Sequence, residues 1–230
     1  MSAGRLGAET GERRDQRKQR TRESLLEAAL SLMKQGSSFT ALSLREVTRE
    51  AGVVPTAFYR HFQSMDELGL ALVENCGIVL RRLLREARRG GVPVTGIIRS
   101  SVRIYLDYVE ENPLWFMFVA GERTGGSRVL RDAIRREIEQ FINEMVHDLR
   151  QLDVLSQLGT ADLQMVCGLV VNTMLNAAVD ILDLSPRHPQ RERELTDNFV
   201  RQLRVIFLGA QGWREPAATA GFEGRGTSTY

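Results

Sequence analysis

Apolar side chains return every three or four positions along most of this chain, the repeat of an amphipathic helix. From about Arg13 to Gln35 the stripe passes through Leu25, Ala29, Leu32 and Met33, and Gly36 stops it. Leu44, Val47 and Ala51 fall at i, i+3 and i+7, enough for a helix of about two turns. Ser43 and Glu46 stand at its start in S-x-x-E spacing, a capping box that satisfies two early backbone N–H groups. Gly52 follows where a left-handed residue ends a helix. Pro55 suits the first turn of the next one, since its missing N–H would be unpaired there anyway. Phe58 and Phe62 then face inward together, while Thr56, Tyr59 and Arg60 point out, with Ala57 and His61 at the flanks.

The same period continues. Ser64 and Glu67 form a second capping box and open a long helix that ends near Arg89, before Gly90 and Gly91. Thr95 to Glu111 is another helix, closed before Pro113. A short apolar helix holds Leu114 to Phe118, and a flexible GERTGGS connection follows it. Arg128 to Leu152 repeats helical spacing through Ile134, Ile138, Phe141 and Met145. Residues 161–184 form the most apolar helix, broken by Ser185 to Pro189. The last helix, about Arg191 to Leu208, places Leu195, Phe199, Leu203 and Ile206 in register. No strand alternation competes, so the expected class is all-α. The expected organisation is a disordered arm over 1–12, a DNA-binding domain over 13–63, a helical effector-binding and dimerisation domain over 64–211, and a flexible tail over 212–230.

Two short helices around a glycine turn, the second exposing hydroxyls, a small residue and Arg60, make a helix-turn-helix suited to a DNA major groove. Residues 20–70 resemble the DNA-binding domain of TetR-type bacterial repressors. The likeness is carried by Leu25-Leu26-Glu27-Ala28-Ala29, Ser43-Leu44-Arg45-Glu46-Val47, Glu50-Ala51-Gly52-Val53, Phe58-Tyr59-Arg60-His61-Phe62 and Asp66-Glu67-Leu68. Val54 stands where that family often has a capping Ser, and Met65 where it often has a phosphate-contacting Lys. A narrower likeness, over about residues 17–150, is to the repressors of unsaturated fatty-acid synthesis of the FabR/DesT type. It is carried by the helix-turn-helix, DELGLALVE, ENP, GERTGGS and REIEQFINEM.

Charge supports the placement through its distribution. The chain has a net charge of only +2. Residues 1–64 hold eleven basic and seven acidic side chains, so the remainder is net negative and the basic end coincides with the helix-turn-helix. Arg13 to Arg22 carries six bases against one acid, either a solvated helix face or an arm reaching phosphates or a narrow minor groove. Cys76 and Cys167 lie in apolar surroundings without CxxC or His spacing, which reads as buried reduced thiols and no metal site. The N-terminus lacks an apolar core for a secretion signal. Leu163 to Leu182, interrupted by Gln164, Asn172, Thr173, Asn176 and Asp180, reads as too polar for a membrane span. The expectation is a protein of the bacterial cytoplasm without membrane insertion.

The DNA-binding candidates are Arg17, Arg20, Ser43, Arg45, Thr56, Ala57, Tyr59, Arg60 and His61. Arg81, Arg82, Arg85, Arg88 and Arg89 make either a solvated face or a docking surface for coenzyme A phosphates, with Arg81, Arg85 and Arg88 as the candidate contacts. Trp115, Phe116 and Phe118 are either core or one wall of a ligand site. The effector candidates are Trp115, Phe118, Phe141, Met145 and Met174. Asn172, Asn176 and Asp180 align at i, i+4, i+8, a polar seam at an interface or the outer edge of a helix. His147 reads as an ordinary surface histidine.

There is no G-x-S-x-G, no P-loop, no G-x-G-x-x-G and no metal-ligand spacing, so an all-α enzyme would leave the capped helix-turn-helix unexplained. What the resemblance implies is a homodimeric repressor without cofactor that binds palindromic operator DNA and senses long-chain acyl-CoA. The alternative is a repressor of an efflux or catabolic operon responding to another apolar small molecule.

Overall fold

The computed structural model describes residues 3–89, 94–183 and 189–214, and among these every regular element is helical. In chain order they are α1 (Ala3–Lys34), a 3-10 turn (Phe39–Ala41), α2 (Leu44–Glu50), α3 (Pro55–Phe58), α4 (Met65–Arg89), α5 (Val94–Glu111), α6 (Pro113–Glu122), α7 (Arg128–Gln151), α8 (Thr160–Leu182) and α9 (Pro189–Gly212). The expected all-α class is the one found. Residues 3–12, expected as a disordered arm, continue α1. No proline interrupts them, and extending an existing helix is far easier than starting one. The glycines at 90 and 91, the break at 185–188 and the tail from 215 lie outside the described residues.

Two apolar cores organise the chain. The first gathers Leu25, Leu26, Ala29 and Met33 of α1 with Phe39, Val47, Phe58, Phe62, Leu68 and Leu72. It does not stop at the end of the helix-turn-helix: Phe118 of α6 and Leu130, Ala133 and Ile134 of α7 belong to it. Gly69 permits this closeness. A Cβ there would stand 2.7 Å from Leu130 Cδ2 and 2.8 Å from Phe39 Cε1, so α4 can lie against both only without a side chain. The second core joins α5, Phe116 of α6, the later half of α7, α8 and the inward side of α9.

Two corrections follow from the packing. By length and composition α8 is apolar enough to cross a membrane, contrary to the expectation drawn from its five polar residues. Its inward side, with Leu163, Val166, Cys167, Val170, Val171, Ala177 and Ala178, is buried in the second core. Phe199 and Leu203, which helical spacing left as candidates for a subunit contact on α9, are 2% and 4% exposed and belong to that same core. Cys167 is a buried thiol outside any disulfide, while the side chain of Cys76 lies outside the described residues.

Candidate nucleic-acid interface and effector cavity

The helix-turn-helix is built by local chemistry. Ser43 Oγ accepts from the Glu46 N–H at 3.3 Å, and the Ser43 N–H donates to Glu46 Oε2 at 2.8 Å, completing the capping box. These bonds from Ser43, together with Arg49 nearby, hold the Glu46 carboxyl below its usual range. Gly52 sits at φ +66°, the left-handed turn its type allows. Thr48 is buried and returns its hydroxyl to Leu44 O at 2.9 Å, so α2 carries no unpaired polar group inward. Ser31 of α1 donates to Glu50 at 2.8 Å, tying α1 to the end of α2.

Ser43, Arg45, Thr56, Tyr59 and Arg60 are exposed, with Ala57 and His61 half-buried beside them, so seven of the nine DNA candidates lie on or beside the α2–turn–α3 unit. Arg17 and Arg20 are exposed on α1. Arg22 behaves differently: its guanidinium lies 5.3 Å from the centre of the Phe62 ring, where the ring face attracts the cation. His61 is held below its ordinary pKa, first by burial and then by Lys18, Arg22 and Arg60, so it is neutral near pH 7. Val54 has no side-chain cap bond, in line with its departure from the family pattern, and is 64% exposed. At Ser64 the second box is partial. Ser64 Oγ accepts from Glu67 N–H at 3.2 Å, but the Glu67 carboxylate takes the Gln63 N–H instead of that of Ser64.

In the helical remainder an apolar cavity of about 150 Å³ lies among α4 to α9. Phe141, Met145 and Met174 line it, as expected. Trp115 and Phe118 do not: both pack into the first core, with Phe118 edge-on to Phe39 at 5.4 Å between ring centres. Phe116, on the other side of α6, takes their place at the cavity wall. It is fixed edge-on against Tyr105 and Tyr108, and the Tyr105 hydroxyl donates to Met174 O at 2.8 Å.

The cavity has one charged end. Arg81 bonds Glu137 directly, and its Nε stands 3.5 Å from Glu144. Gly77 makes room for this pair, because a Cβ there would lie 2.1 Å from Glu137 Oε2. Arg81 is therefore already engaged by carboxylates and is not an open phosphate site. The side chains of Arg82, Arg85, Arg88 and Arg89 lie outside the described residues. His147 is exposed and bonds Gln151 at 2.9 Å, a surface role. Among the described residues no cluster of acidic, His or Cys side chains could hold a metal ion.

Sequence reasoning missed Glu122, assigned there to a flexible connection. It ends α6, is 2% exposed, and accepts from the backbone N–H groups of Phe39 and Thr40. Burial pushes its carboxyl up, opposed by those two N–H groups.

An exposed helix-turn-helix coupled through a shared core to a cavity-bearing helical body defines a ligand-binding transcriptional regulator. Residues 25–72 match the bacterial regulatory proteins of the tetR family, and residues 94–205 match the tetracyclin repressor-like C-terminal domain. The chain belongs to the TetR family of bacterial transcriptional regulators. Its fold is shared with a transcriptional regulator from Rhodococcus sp. Rha1, at 22% identity, TM-score 0.62, over 84% of this chain and 96% of that one. It is shared with FadR from Bacillus subtilis in complex with stearoyl-CoA, at 12% identity, TM-score 0.64, over 81% and 98%. SmeT in complex with triclosan is similar at 18% identity, TM-score 0.60, over 82% and 90%.

Proposed function

We propose that this regulator is a cytoplasmic homodimeric repressor that binds palindromic operator DNA through residues 43–61 and answers to a long-chain acyl-CoA, controlling unsaturated fatty-acid synthesis or desaturase genes. The observation that carries the ligand-responsive part is the apolar cavity, whose walls belong to the same helices that hold the DNA-binding core. A short recognition helix reads few base pairs, so specificity calls for two half-sites and a two-fold dimer. Support for dimerisation through α8 and α9 comes from their outward apolar residues, Met165, Leu169, Val179, Val205 and Leu208, all exposed in the single chain. Asn172, Asn176 and Asp180 are exposed on α8 as well, a polar seam on that surface.

The FabR/DesT-like motifs favour an acyl ligand, and FadR from Bacillus subtilis holds stearoyl-CoA on this fold. Size sharpens the idea. A cavity of about 150 Å³ takes a benzene-sized molecule, whereas ligand pockets ordinarily run about 300–1,000 Å³. A long chain enters only if the helices part, and a ligand that binds the parted state better shifts the population toward it. Each buried methylene contributes about 0.8 kcal/mol toward that opening. The second reading, a smaller apolar effector of an efflux or catabolic operon, fits the cavity as it stands, and SmeT with triclosan is a regulator of this fold holding a small molecule. Footprinting on the DNA upstream of the gene, without ligand and with oleoyl-CoA or triclosan, tests the proposal. A two-fold symmetric footprint altered by oleoyl-CoA alone supports it; alteration by triclosan alone supports the second reading; no footprint removes both.

A further inference from the structure

Ten residues of α6 face two ways. Phe116 and Val119 line the cavity. Phe118 and Glu122 turn toward the helix-turn-helix, Phe118 against the Phe39 ring and Glu122 onto the backbone N–H groups of Phe39 and Thr40. Phe116 is wedged between two α5 rings, Tyr105 at 5.6 Å and Tyr108 at 5.7 Å, so it cannot swing aside without disturbing them. On the other side, the 3-10 turn Phe39–Ala41 passes through the single residue Leu42 into the Ser43 cap of α2. Little slack separates the grip from the reading head.

Stability alone does not explain Glu122. Its Oε2 is buried without a hydrogen-bond partner, pressed beside Gly125, where a Cβ would lie 2.5 Å from that oxygen. An unpaired buried carboxylate oxygen is unfavourable, and the rest of α6 is almost wholly apolar. A group kept in spite of that cost points to a job other than filling the core. Resting on the ligand-responsive reading above, we infer that α6 transmits the shape of the cavity to the helix-turn-helix, and that Glu122 is the positioning residue by which it holds the 3-10 turn. Displacement of Phe116 or Val119 by a ligand moves one rigid short helix, and the turn moves with its far end.

The donating amides report this grip directly, with no need of operator or effector. Hydrogen exchange at Phe39 and Thr40 is measured in the wild type and in Glu122→Gln, Glu122→Ala, Phe116→Leu and Val119→Phe. Glu122→Gln keeps the accepting oxygen and leaves exchange within about twofold, whereas Glu122→Ala speeds it roughly tenfold. Phe116→Leu empties part of the cavity wall and Val119→Phe fills the cavity; each shifts exchange at the two amides roughly threefold or more, while Leu25 to Met33 of α1 stay unchanged. Should Val119→Phe fail to fold, Phe116→Leu carries the test. Unchanged amides in Glu122→Ala overturn the grip, and unchanged amides in the folded cavity variants overturn the transmission. Oleoyl-CoA then separates this inference from the reading beneath it. A response in wild type that is lost in Glu122→Ala supports both. Silence toward oleoyl-CoA alongside a response to the cavity variants sinks the acyl-CoA reading and leaves α6 as the transmitter.

Discussion

The two ends of the molecule bind by opposite physics. The helix-turn-helix offers exposed side chains on a scaffold closed by caps and a left-handed glycine, and its partner is met in water through charge and hydrogen bonds. The cavity is almost wholly apolar, drawn from six helices, with Arg81 at one end neutralised by Glu137. The first surface is preformed and has little need to move. The second is too small for a long ligand until it moves. That difference assigns the roles: specificity resides where geometry is fixed, and response where packing must give. The shared core, crossing from α1 and α3 into Phe118 and Leu130, is what lets one affect the other.

The sharpest break in this comparison removes the dimer. Leu169→Glu with Val205→Glu places charges on residues 50% and 68% exposed in the single chain, so the fold survives if these are surface positions. Operator affinity then falls at least about a hundredfold, near 2.7 kcal/mol, and sedimentation gives a monomer. An unaltered dimer sinks the assignment to α8 and α9. Arg60→Ala comes next. If Arg60 reaches base edges it costs about 1–3 kcal/mol and relaxes base preference, measured by competition between operator variants. A loss equal for all sequences would demote Arg60 to a phosphate contact.

Arg17→Ala with Arg20→Ala weakens binding to every sequence and lowers the slope of log affinity against log salt by roughly 0.9 for each lost contact. A parallel line with unchanged slope would leave the basic stretch of α1 as a solvated face. The smallest effect is that of His61. Its pKa in the free protein is depressed, so the fold binds its proton less readily than the unfolded chain. Its contribution to stability is therefore full above the unfolded value of about 6.5 and is lost as pH falls below it. A neighbouring phosphate would raise the pKa in the complex, so DNA binding takes up a proton and tightens as pH drops from about 7.5 to 5.5. His61→Gln should flatten that trend; a trend that persists belongs to another group.

What was legible in the sequence follows the same divide. The capping box, Gly52, Pro55 and the Phe58–Phe62 pair act between neighbours in the chain, so spacing alone reveals them. The cavity is non-local. Phe141, Met145 and Met174 were found because each lies on a stripe with a clear inside. Trp115 and Phe118 were misplaced because α6 is apolar all round, and periodicity cannot say which side meets a cavity and which a neighbouring core. Glu122 left no signal at all, since an acid before Gly125 and Gly126 looks like any polar connection. Arg81 was noticed for its charge, but its partners on α7 are more than fifty residues away, and no spacing rule links them.

The most direct test of the central claim, that cavity occupancy sets operator affinity, is a titration of the operator complex with saturated and unsaturated acyl-CoA of equal chain length. Equal length makes burial nearly equal, so only shape differs, and a difference between states of about 2.7 kcal/mol appears as a hundredfold change in affinity. Two separated curves are the expected result. Coincident curves, or no response to either ligand, would contradict the lipid-sensing account.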